Sequence, residues 1–139
     1  MSHQNIQIAR RIMEAWASGA EQEALEQLDP NVEFDTSARP DGRVWRGREG
    51  VREALAEWTG AFADWSIEVE RYLDAGEDRV AFLWREHGRP KTGNVMISQE
   101  GITVLTIRDG MVVSFVASLD VQGTLAALGL AGAIGSDSA

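Results

Sequence analysis

The sequence predicts an α+β domain in which helices lie against a strongly curved antiparallel sheet. Three observations lead there. Apolar residues recur at spacings of three and four only in the first 62 positions and again near the end. Between residues 65 and 119 the pattern changes to strand-like segments separated by hairpin signals. Helices followed by a meander of strands is the α+β order, and 139 residues fit one domain.

The first predicted helix covers residues 4–18. Ile6, Ala9, Ile12/Met13 and Trp16 make its stripe, and Ser18-Gly19 ends it. A short helix over 21–28 carries Ala24, Leu25 and Leu28 and stops at Asp29-Pro30-Asn31. "VEFDTS" (32–37) alternates as a strand does. "ARPDGRVWRG" reads as a polar loop with turn signals at Pro40 and Asp41-Gly42. A third helix over 48–62 presents Val51, Leu55, Trp58 and Phe62 on one side. Strands are expected at 65–74, 79–87, 94–108 and 111–119. Their separators are Ala75 to Asp78, Gly88 to Gly93, and Arg108-Asp109-Gly110. Glu100-Gly101 is expected to form a bulge or bend in the third of these. A short C-terminal helix over 121–128 ends at Gly129. The domain is expected to span 1–130, with 131–139 as a flexible tail.

Totals exclude several functions. Thirteen Lys+Arg against 22 Asp+Glu leave a net charge of −9, which disfavours nucleic acid or an anionic membrane surface as partner. No cysteine is present, and the two histidines, His3 and His87, stand far apart, so no metal site is expected. No Gly-rich phosphate loop follows a strand, so no nucleotide cofactor is expected. "LAALGLAGAIG" is too short to span a bilayer, and the N-terminus lacks a signal-peptide pattern. A cytoplasmic location is the expectation.

With the elements in order, "LDPNVEFDTS…VWRGREGVREAL" and "ITVLTIRDGMVVSFVASLDVQGTLAALGL" resemble the SnoaL-like branch of the nuclear transport factor 2-like superfamily. The resemblance covers roughly residues 4–130. It implies a cone-shaped roll whose open end admits a small hydrophobic organic ligand. It also implies a homodimer paired through the outer face of the sheet. Members include cofactor-free enzymes and non-catalytic binders, so the fold alone does not choose between them.

Asp120 stands where SnoaL-like polyketide cyclases carry a catalytic aspartate. A carboxyl in an apolar pocket has its pKa raised toward working pH and can serve as acid or base. An Asp directly before a short helix is equally a preferred N-cap. Asp35 lies near the general base of ketosteroid isomerase-like members, or is a turn residue beside Thr36-Ser37. Where those members place a Tyr and an acid for their oxyanion hole, this chain has Ile12 and Thr103. Both strong donors are missing, which argues against ketosteroid isomerase activity.

Arg85 and His87 share one face of their strand, and Trp84 and Glu86 share the other. If the Arg85 face lines the cavity, Arg85 binds ligand and His87 moves protons. If the Trp84 face does, both are solvated on the outside or lie at a dimer interface. Trp16 and Trp58 are candidate walls for a flat hydrophobic ligand and Trp45, in the loop before the third helix, a candidate lid, with core packing as the plainer reading. The expected activity is acid/base cyclisation, isomerisation or hydration of a polyketide-, terpenoid- or steroid-like substrate. The alternative is a binding module without catalysis, or a dimeric interaction domain.

Overall fold

A computed structural model describes residues 2–39 and 42–132. Residues 133–139 of the tail expected at 131–139, and the turn residues Pro40 and Asp41, lie outside the described residues. Helix α1 (Ser2–Ala17) leads into α2 (Glu21–Glu26) and strand β1 (Leu28–Asp35). Strand β2 (Val44–Arg46) runs into α3 (Gly47–Gly60). The meander is β3 (Phe62–Asp74), β4 (Arg79–Pro90), β5 (Ile97–Arg108) and β6 (Met111–Ser118), followed by α4 (Val121–Ala127).

The six strands form one curved, unclosed sheet in the order β2-β1-β6-β5-β4-β3. Pairing is antiparallel throughout the meander, as expected. The pair β1–β6 is parallel, so the whole sheet is mixed. A parallel pair needs a long crossover. Here nearly the whole chain between the two strands supplies it.

Three other expectations are corrected. Residues 44–46, expected as loop, pair with β1 as β2. Three residues are too few to display a period. Phe62, expected on the third helix, opens β3, because Gly60-Ala61 already ends α3. No bulge occurs at Glu100-Gly101, since the β4–β5 register runs unbroken from Arg79↔Thr106 to Gly88↔Ile97. Gly101 is there for space. A Cβ at this position would stand 2.3 Å from the ring of Trp84, its partner across the ladder. The Asp109-Gly110 turn forms as expected, both residues having positive φ, the conformation of a two-residue type I′ hairpin.

The sheet is covered on both faces. On the concave side α1, α2 and α3 bring Ala9, Ile12, Leu25 and Val51 against Val80, Phe82, Leu105 and Val112. On the convex side α4 lays Leu125 on Ala81, Leu83 and Ile102. Fully burying a side chain such as Leu125 contributes about 1.5–3 kcal/mol. Asp120 caps α4, its Oδ1 accepting the Gly123 backbone N–H at 2.9 Å.

Candidate functional site

The helical layer does not fill the concave face. It leaves a cavity of about 440 Å³ between α1, α2 and α3 on one side and β1 and β3–β6 on the other. All five tryptophans of the chain line it: Trp16 from α1, Trp45 from β2, Trp58 from α3, Trp65 from β3 and Trp84 from β4. Trp16 and Trp65 meet at 5.4 Å between ring centroids. Phe34, Phe82 and Phe115 extend the apolar wall. Glu21, Glu57 and Ala61 are the exposed members of the lining and mark its rim.

One carboxylate enters this wall. Glu86 shares a face of β4 with Phe82 and Trp84, and it is 2% exposed. Its Oε1 accepts Arg39 Nη2 at 3.0 Å and the Gln99 side-chain amide. Its Oε2 accepts Trp58 Nε1 at 3.1 Å and Trp65 Nε1 at 3.2 Å. A carboxylate offers about four lone-pair sites. Four donors from the loop after β1, α3, β3 and β5 therefore saturate it. A buried charge is tolerated when paired and fully hydrogen-bonded, and Glu86 meets both conditions.

Arg39 completes the group. Its side chain is 14% exposed. Its guanidinium lies 4.2 Å from the centroid of Trp58 and 5.6 Å from that of Trp84. Stacking and the ion pair fix it together, which suits a planar cation. Beside it, Trp84 Nε1 donates to Thr103 Oγ1 at 2.9 Å in a buried contact.

The sequence-predicted residues divide sharply. Trp16, Trp45, Trp58 and Thr103 all line the cavity, as does Ile12. Arg85 and His87 do not. Strand alternation sends them to the convex face once Trp84 and Glu86 turn inward. There Arg85 pairs with Glu100 at 3.0 Å and Glu70 at 3.8 Å, and His87 stands 3.5 Å from Glu68. Their expected pocket roles are corrected accordingly. Asp35 also points away from the cavity, between the lining residues Phe34 and Thr36. It accepts the Ser37 N–H at 2.9 Å and hydroxyl at 2.6 Å, and these bonds hold its pKa below its ordinary value. Asp120 is exposed at the start of α4, outside the cavity. For both aspartates the structure places the carboxylate in its local turn or cap.

Glu86, Arg39, Trp65 and Gln99 were not singled out from the sequence. Alternation would have found Glu86 once Trp84 was assigned inward. Among the described residues no three His, Asp or Glu side chains gather to hold a metal ion. No described helix is long and apolar enough to cross a membrane.

The fold has many structural relatives. TerC, co-crystallised with polyporic acid, superposes with a TM-score of 0.72 at 17% identity, covering 93% of this chain and 98% of its own. An NTF2-like protein of unknown function from Burkholderia pseudomallei gives 0.73 at 17%, covering 88% and 95%. A provisionally assigned SnoaL-like polyketide cyclase from Jannaschia sp. CCS1 gives 0.70 at 19%, covering 91% and 92%. At such identities these likenesses concern the fold. No curated protein sequence matches the chain. The model of the SnoaL-like domain, however, matches residues 9–115, from the middle of α1 into β6, and so the chain belongs to the SnoaL-like domain family.

Proposed function

We propose that this protein binds a flat, hydrophobic small organic molecule in the cavity between its helices and sheet. The single observation that carries the reading is that all five tryptophans converge on one 440 Å³ space. Ligand pockets typically run from about 300 to 1,000 Å³, lined by aromatic residues with few polar groups. A core built only for stability would close such a space, because residual cavities cost stability. That TerC was co-crystallised with polyporic acid supports a ligand reading for this fold.

Binding is favoured over catalysis by where the acids stand. Asp35, His87 and Asp120 lie outside the cavity, and the carboxylate inside it has no free lone pair for a substrate proton. A cofactor-free enzyme is the second reading. The observation favouring it is the buried Arg39–Glu86 pair facing the ligand space. A homodimer through the convex sheet face also belongs to this proposal. Val44 and Val116 are exposed there, in one cross-strand row with Asp35 between them.

Native mass spectrometry of the purified protein tests the reading, together with titration of tryptophan fluorescence by flat hydrophobic probes. Saturable quenching with a co-purifying ligand is expected. Asp35→Asn and Asp120→Asn should bind as the parent does. Absence of any saturable ligand would overturn the proposal.

A further inference from the structure

Resting on the cavity as a ligand site, we propose that it selects molecules by an oxygen acceptor, with Arg39 and Thr103 as the specificity-determining donors. The ligand class is then a flat hydrophobic carbonyl compound rather than a hydrocarbon or an amine.

The argument is an inventory of unspent hydrogen-bonding capacity. Indole Nε1–H can only donate, so Thr103 Oγ1 must be the acceptor of its 2.9 Å bond with Trp84. The hydroxyl hydrogen of Thr103 therefore points elsewhere, and no acceptor among the described residues takes it. Arg39 carries five N–H donors. Glu86 takes one at Nη2, and among the described residues no other acceptor takes the rest. Both side chains line the cavity. Both also touch one indole: Arg39 lies over the Trp84 ring, and Thr103 bonds its nitrogen.

The acceptor side of the ledger is nearly empty. Glu86 is filled by its four donors. The Thr36 hydroxyl is spent on Arg43, accepting its N–H at 3.0 Å and donating to its carbonyl at 2.9 Å. Glu21 and Glu57 accept only at the exposed rim. A ligand oxygen would gain hydrogen bonds inside, whereas a ligand N–H would lose those it made to water. Sites with pre-placed polar groups discriminate strongly against ligands that leave a polar group unpaired.

The test uses two tricyclic probes of nearly one shape, 9-fluorenone and fluorene, which differ in a carbonyl. Binding is followed by tryptophan quenching. The parent protein should bind fluorenone about 3- to 10-fold more tightly, as one net hydrogen bond implies. That ratio should fall toward one in Thr103→Val and in the charge-free double variant Arg39→Met/Glu86→Gln. Thr103→Ser, which keeps the hydroxyl, should retain it. If the double variant fails to fold, the Thr103→Val and Thr103→Ser pair decides. Equal affinities in the parent, or a ratio unchanged by Thr103→Val, would overturn the selection. Binding of neither probe would instead strike the ligand-site reading itself, and the selection with it.

Discussion

Strand β4 carries two chemistries on its two faces. Inward, Phe82, Trp84 and Glu86 are buried to 3% exposure or less. Outward, Arg85 and His87 keep 38% and 37% of their side-chain surface in water. Both faces hold ionisable groups, and both groups are paired. The difference lies in the surroundings. Glu86 has lost nearly all contact with solvent and relies on four protein donors. Arg85 meets its glutamates in water, where an ion pair contributes about 0–1 kcal/mol, and His87 stands beside Glu68 on the same wet face. Position in the pleat, more than residue type, decides which groups can touch a ligand.

The sharpest way to break this contrast is Glu86→Ala. It leaves the buried Arg39 charge unpaired and strands the N–H groups of Trp58 and Trp65. Removing one partner of a buried pair costs about 3–5 kcal/mol. Urea unfolding should show that loss, whereas Arg85→Ala should stay within about 1 kcal/mol. Similar costs for the two would abolish the distinction between the faces. Gly101→Ala comes next. The added methyl would meet the Trp84 ring at 2.3 Å and the Ser118 carbonyl oxygen at 2.7 Å. Overpacking of this kind costs about 1–3 kcal/mol. Near-UV circular dichroism should also report a displaced Trp84.

Asp120→Ala measures what the exposed carboxylate does. Losing the bond to Gly123 should cost about 1 kcal/mol, and Asp120→Asn, a comparable cap, much less. Neither should alter probe binding in the cavity. A loss of binding without a loss of stability would return Asp120 to the candidate site.

The helices and the hairpins were legible because their signals are local. "RDG" states its own turn, and α1 and α3 show their stripes within a few residues. The walls contributed by Trp16 and Trp58 could be read for the same reason. Which face of β4 turns inward could not, because residues 80–84 are buried without a break. The concave layer covers one face and α4 the other, so no period of two survives there. Glu86 was hidden more deeply still. Its partners lie 13, 21, 28 and 47 residues away, and only the folded sheet with its helical layer brings them to one point. Resemblance points to Asp120 and Asp35 as site residues, but their bonds are to neighbours two or three residues on, as cap and turn chemistry predict.

The smallest expected effect concerns Asp35, the second carboxylate outside the cavity. Its pKa is lowered chiefly by the Ser37 hydroxyl and then by the Ser37 backbone N–H. A depressed folded pKa gives stability that is present above the unfolded value, near 4 for an aspartate, and lost as pH falls through the folded one. Ser37→Ala removes the larger cause and leaves the backbone bond. The Asp35 midpoint, followed by carboxyl-carbon NMR, should therefore move up toward its ordinary value. The stability gap between parent and variant should be widest near neutrality and should close as pH falls below about 4. Tryptophan quenching by a cavity probe should not follow that titration, because Asp35 faces away from the lining. A probe affinity that tracked the Asp35 midpoint would mean that the two sides of β1 are coupled, and the separation of inner from outer chemistry would have to be redrawn.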